Sequence, residues 1–328
     1  MKKLFRKGPV TLVVGLAMAA SLFTACGDDS ESTIGNWIQS NTFTAEPRSS
    51  SAAFTIDNKG YVGTGYDGDD YMKDFWVFNM QDGSWEQLAD FPGEARSSAV
   101  AFTINGKGYL GTGYNGTSEL GDFYEYNPAT NAWVQIANFG GTARRAAVGF
   151  NSAGYGFVGT GFDGSNDKKD FWKYDPATNA WNEIYTFGGN KRREGTTFTI
   201  GTNVYVGTGS SNGLTQKDFW VFDTTAETWT RLHDLDYDDS YGITRANAVG
   251  FAIGSYGYIA TGDTNSVWEY NPSTDTWDNK TNFEGSSRQD AVAIYNGSQA
   301  FIALGKYGNS YYDDMWEFKP MEAENDDD

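Results

Sequence analysis

A single cysteine and a single histidine in 328 residues remove several chemistries at once. One cysteine closes no intramolecular disulfide, and one cysteine with one histidine cannot build a zinc or copper centre that needs several sulfur or imidazole ligands. Carboxylate-only metals such as calcium stay open. Basic residues are scarce too, 24 against 43 acidic ones, for a formal charge of -19. That balance argues against a nucleic-acid partner, because phosphate binding needs concentrated positive surface. Solubility is its plainest consequence. No window sustains a 3.6-residue apolar period, so helices are not expected. What is abundant is aromatic residues, 16% of the chain, and glycine, 40 residues, a composition far from disorder. The length suits two average domains, or one if the chain is all-β.

The longest apolar run lies at the start. Lys2, Lys3, Arg6 and Lys7 precede an apolar stretch from Val10 to Ala25, too short and wrongly flanked for a good membrane span. Leu22-Phe23-Thr24-Ala25-Cys26 resembles a bacterial lipobox, which implies cleavage before Cys26 and acylation there. Residues 1–25 are thus expected to be a lipoprotein signal peptide and 26–33 an acidic tether. Such a tether resembles a cell-surface export signal. The expected location is the cell envelope, lipid-anchored at the outer membrane, with the surface as one possible side. Losing 1–25 removes four positive charges and no negative ones, so -19 becomes -23.

Self-similarity settles the architecture. Arg48, Arg96, Arg144 and Arg192 are spaced by 48 residues, and Arg245 and Arg288 follow at 53 and 43. Six residues after each arginine stands Phe54, Phe102, Phe150, Phe198, Phe251 or Ile294. Fifteen after comes a triplet, Gly63-Thr64-Gly65 and its successors, with alanine forms at Ala260 and Ala303. Trp76, Tyr124, Trp172, Trp220, Trp268 and Trp316 occupy one later position, and Trp85, Trp133, Trp181, Trp229 and Trp277 another nine residues on. Each unit reads as four short strands divided by Asp/Asn/Gly-rich turns. In the first unit these are residues 51–56, 60–65, 74–78 and 84–88. Asn127-Pro128-Ala129-Thr130-Asn131 and its echoes at Asp175 and Asn271 give the hairpin between strands three and four. Four strands in about 48 residues is the signature of a β-propeller blade.

The ends point to ring closure. The last unit runs from Trp316 into Pro320 and an acidic tail, 321–328, without a fourth strand. Trp37 precedes Arg48 by 11 residues, the offset of Trp85 from Arg96. The segment 34–38 is therefore expected to supply the outer strand of the sixth blade, removing an open edge. The predicted fold is an all-β, six-bladed propeller over 34–320.

The pattern resembles the kelch family over nearly all of 34–320, with Gly-Thr-Gly where family blades carry a double glycine. The resemblance implies a propeller, and propellers host enzymes, binding modules and scaffolds alike. Kelch propellers include galactose oxidase, whose copper site needs two histidines and a cysteine fused to tyrosine. With only His233, and Cys26 at the signal junction, copper oxidase chemistry is excluded and no cofactor is expected. Some periplasmic kelch propellers are sialic-acid mutarotases, which makes that the alternative to a glycan- or protein-binding module. A passive component of an envelope complex is a third reading. A monomer is expected.

Two sets of residues are candidates for a site. The six arginines open the innermost strands and are expected to ring one mouth of the channel. They would either attract a carboxylate or pair with Asp74, Asp122, Asp170, Asp218 and Asp314, which recur two residues before the third-strand aromatic. Because they obey the repeat, pairing is the stronger reading. Residues that break the repeat are better candidates. The two positions after each arginine change from Ser-Ser in blades one and two to Arg145-Ala146, Arg193-Glu194, Ala246-Asn247 and Gln289-Asp290. Glu194 beside Asp290 could move a proton if burial raised one pKa. The loops after strand two carry Tyr66, Asp67, Asp69, Asp70, Tyr71, Tyr114, Asn115, Phe162, Asp163, Tyr307, Tyr311 and Tyr312. The enlarged loop before Arg245 adds Tyr237 and Tyr241 to the same expected rim. Asp67-Gly68-Asp69-Asp70 could hold calcium but lacks full EF-hand spacing.

Overall fold

The computed structural model describes residues 34–184 and 187–325. They form six four-stranded antiparallel sheets around a central channel. Blade 1 runs outward through Ala52–Ile56, Lys59–Gly63, Phe75–Asn79 and Trp85–Gln87, within a residue or two of the sequence reading. The inner strands of the next four blades are Val100–Ile104, Val148–Ser152, Thr196–Ile200 and Val249–Ile253. Two short hairpins, Ser210–Ser211 with Leu214–Thr215 and Lys306–Tyr307 with Ser310–Tyr311, decorate blades 4 and 6.

Blade 6 takes Val292–Tyr295, Ala300–Ala303 and Met315–Ala323 from the C-terminal end, and Ile34–Ser40 as its outer strand. Trp37 pairs with Phe318 and is fully buried, in the slot that Trp85 fills in blade 1. The last strand runs past Pro320, the expected boundary, to Ala323, which pairs with Ile34. Pro320 lies where the register slips between Ile34 and Asn36, a bulge where a missing N–H costs no ladder bond. Cys26, the signal peptide, the tether and the last three residues of the expected tail lie outside the described residues.

The phenylalanine repeat is explained by packing between blades. A Cβ on Gly108 would fall 2.0 Å from the ring of Phe54, on Gly156 2.2 Å from Phe102 and on Gly257 2.0 Å from Phe198. The inner-strand aromatic of one blade thus fills a hole that only glycine leaves in the second strand of the next. Hairpin asparagines stitch the same seam: Asn131 Oδ1 accepts from the Ala89 N–H of the previous blade at 3.0 Å, and Asn179 from Ala137 at 2.9 Å. His233 occupies the equivalent place, its N–H donating to Asp275, and its exposed ring stacks on Tyr237.

Candidate functional site

The arginine repeat, the triplet and the aspartate repeat form one cassette. In Arg144 the Nε–H donates to Thr142 O, Nη1–H to Thr160 O at 2.8 Å, and Nη1 and Nη2 grip both oxygens of Asp170 at 2.8 Å. Trp172 Nε1–H donates to the same carboxylate at 2.9 Å. The captured carbonyl belongs to the middle residue of Gly159-Thr160-Gly161, whose φ of 60° is left-handed. A threonine there is strained, and the guanidinium holds it in place. Arg48, Arg96, Arg192 and Arg288 repeat the arrangement with Asp74, Asp122, Asp218 and Asp314. Phe43, Phe91, Phe139 and Phe283 lie under the guanidinium planes of Arg48, Arg96, Arg144 and Arg288. Burial pushes Asp170 and Asp314 upward, but the paired arginines outweigh it and hold both below the usual carboxylate range.

These arginines are 0–1% exposed and Arg245 is 4%. The expected ligand-facing ring is therefore not at the channel surface; desolvated guanidinium groups need acceptors, and the blade supplies them.

The residue two places after each arginine does reach the axis. Ser98 N–H donates to Ser50 O, Ala146 to Ser98, Glu194 to Ala146, Asn247 to Glu194, Asp290 to Asn247 and Ser50 to Asp290, all between 2.8 and 3.1 Å. The six bonds close a backbone collar, and all six residues have left-handed φ of 51° to 59°.

Below the collar the channel forms a cavity of about 660 Å³, walled by small residues such as Ala53, Ala101, Gly149, Thr197, Gly250 and Ala293. Phe54, Phe102, Phe150 and Tyr295 are the aromatic residues that border it, and burial pushes the Tyr295 hydroxyl up to about 12.

Above the collar, half-buried side chains make a continuous arc. Tyr311 contacts Tyr66 at 6.2 Å between centroids, Tyr66 contacts Tyr71 at 4.8 Å, and Tyr71 contacts Tyr114 at 5.9 Å. Arg145 lies over Tyr114 at 4.4 Å and Phe162 at 5.3 Å, and Arg193 covers Phe162 at 4.1 Å. Both arginines are already paired, Arg145 with Glu119 at 3.4 Å and Arg193 with the buried Asp167 at 2.9 Å.

On the far side of the collar, Glu194 accepts from Ser210 Oγ, and Asn247 Nδ2 faces Gln289 Oε1 at 3.4 Å. Asp290 lies 3.9 Å from Lys306. Burial first, with the Glu194 and Asp263 charges adding and Lys306 opposing, raises its carboxyl to about 6.

Three expected rim residues sit elsewhere or act differently. Tyr241 packs on Trp268 and its hydroxyl accepts the Trp277 N–H, so it serves blade 5 rather than the mouth. Tyr237 is spent on His233. Tyr307 is 54% exposed at the tip of its hairpin. Asp67 Oδ1 accepts the N–H groups of Asp69 and Asp70 and is committed to its own turn. Tyr71, Glu119 and Asp167 complete the site. Glu119 and Asp167 escaped sequence reasoning because their partners are set by loop conformation.

Residues 30–150 match the KLHDC2/KLHL20/DRC7 Kelch-repeats domain. No curated protein matches the chain. Among solved structures, one titled "Structure of YjhT" is similar at a TM-score of 0.73 and 17% identity, covering 84% of this chain and 95% of that one. That likeness is one of fold, and the fold of this chain is a six-bladed, kelch-type β-propeller.

Proposed function

We propose that this propeller is a lipid-anchored, extracytoplasmic binding module that takes a glycan on its loop-bearing face. The observation that carries the reading is the arc from Tyr311 to Arg193. Ring faces suit the C–H faces of sugars and give contact area at low entropy cost. Interleaved carboxylates and amides suit the hydroxyls. With Arg145 and Arg193 paired, and Asp67, Asp163, Glu194, Asp263 and Asp290 nearby in the repeat, a neutral sugar fits better than an acidic one. The anchor rests on Cys26 and its lipobox, and mass spectrometry of the membrane-extracted protein tests it. A glycan array should give neutral-sugar ligands, and Tyr114→Ala should weaken them at least tenfold, about 1.4 kcal/mol, without changing the melting temperature. Undiminished binding in both Tyr71→Ala and Tyr114→Ala sinks the assignment.

Asp290 favours a second reading, a sugar-ring acid/base enzyme such as a sialic-acid mutarotase. A carboxyl near 6 suits proton transfer at neutral pH. Because its folded pKa lies above the ordinary 3.8, the folded state binds the proton more tightly, and stability falls as pH rises from about 4 through 6. Asp290→Asn should therefore stabilise the protein at pH 8 by up to about 3 kcal/mol, with the gain fading below pH 4. Urea melts across pH measure it. Anomeric exchange of sialic acid, lost in Asp290→Asn or Glu194→Gln, would decide for the enzyme.

A further inference from the structure

Blade 5 breaks the buried cassette. Where five blades place an aspartate, it has Ser266, and Arg245 is buried with no ion pair among the described residues. All five of its N–H groups go to neutral acceptors: Ile243 O, Thr261 O, Ser266 O, Gly242 O and Ser266 Oγ, at 2.7 to 3.1 Å. The residue five places earlier, phenylalanine in the other blades, is Ser240, so the usual ring beneath the guanidinium is missing as well. Burial lowers the Arg245 pKa to about 10, with no carboxylate opposing it. A second atom is stranded in the same place. Trp76, Trp172, Trp220 and Trp316 each donate Nε1–H to the carboxylate two residues earlier, whereas buried Trp268 Nε1 has no partner among the described residues.

The loop that covers this position is short and partly exposed, although Trp268 Nε1 itself is buried. Between the triplet and the aspartate position blade 5 has three residues, 263–265, where every other blade has eight. Ser266, Thr264 and Asn265 are only half-buried. Ser266 Oγ accepts from Arg245 Nη2–H at 2.7 Å and from the Thr264 hydroxyl at 3.3 Å, which leaves its own hydroxyl proton to donate. Serine Oγ stands where aspartate carries its carboxylate carbon, so blade 5 keeps the buried guanidinium and the indole N–H but lacks the two carboxylate oxygens and the negative charge of the other blades.

We propose that this notch binds a small monovalent anion, a halide or a carboxylate such as acetate, whose charge stands where the aspartate stands in the other five blades. Donors are the Ser266 hydroxyl and Trp268 Nε1–H, with Arg245 supplying the charge. The site lies apart from the aromatic arc and does not depend on the glycan reading.

The test is thermal unfolding in sodium chloride, bromide or acetate at constant ionic strength, balanced with sodium isethionate, whose anion is bulkier than the other three. The wild-type melting temperature should rise saturably with each small anion. A rise with acetate alone would identify a carboxylate site and a rise with halides alone a halide site. Ser266→Asp should melt in isethionate at or above the anion-saturated wild type and lose the response. Crystals of the wild type in bromide should show an anomalous peak within hydrogen-bonding distance of Trp268 Nε1, independent of how the variant folds. A flat wild-type response, or an equal response in Ser266→Asp, overturns the proposal, as does a bromide-soaked crystal with no peak there.

Discussion

Asp170→Ala is expected to cost about 3–5 kcal/mol of stability, because it leaves the Arg144 guanidinium charged and fully buried without its counter-ion. The same change strands the Trp172 indole N–H. Arg144 would keep Thr160 O and Thr142 O as acceptors, so the blade should remain folded, only weakened. A surface pair would be worth little, and the 0% exposure of Arg144 is what separates the two cases. Pairing holds the Asp170 pKa below its ordinary value, so its contribution is present above the unfolded pKa near 4 and is lost as pH falls through the folded one. The cost of the substitution should shrink accordingly in acid. Urea unfolding at pH 7 and pH 3 measures both, and a loss under 1 kcal/mol at pH 7 would refute the cassette as a buried ion pair. Adding Arg144→Met should recover part of the loss, since an apolar side chain leaves no buried charge behind.

The architecture was legible because one physical unit is written six times. Arginine, phenylalanine, glycine triplet and tryptophan recur at fixed offsets, and each offset matches a contact between or within blades. The pairing of arginine with aspartate was legible for the same reason. The collar was only half legible. The sequence placed Glu194, Asn247 and Asp290 at the mouth, yet nothing in a residue name reveals that serine, alanine, glutamate, asparagine and aspartate all adopt left-handed φ to pass hydrogen bonds around a ring. That conformation is imposed by neighbouring blades. The arc above it was read as a set of loop tyrosines; the guanidinium groups stacked among them could not be read, because Arg145 and Arg193 reach Phe162 from two different blades. Tyr241 misled because the five-residue insertion before Arg245 folds onto Trp268 instead of toward the axis.

Closure of the ring gives the other large effect. Trp37 is fully buried, edge-on to Phe283 at 4.9 Å and tilted against Phe318 at 4.6 Å. Truncating such a residue removes its transfer energy and leaves a cavity, so Trp37→Ala should cost about 3–5 kcal/mol. For a protein of this size that is a fall of roughly 5–8 °C in melting temperature. Deleting Ile34–Ser40 goes further. It removes the partner of Met315–Ala323 and bares that strand's N–H and C=O groups as an open edge. Blade 6 would then hold blades 1 and 5 by three strands, and the seam between the chain's two ends would lose its only covalent tie to the N-terminal side. The deletion should therefore unfold below Trp37→Ala and self-associate on size-exclusion chromatography. If it stays monomeric with the wild-type melting temperature, ring closure by the N-terminal strand contributes nothing to stability. An intermediate result, lower melting without association, would assign the loss to Trp37 packing and leave the edge blunted by the charged Glu317, Lys319 and Glu322 that flank it.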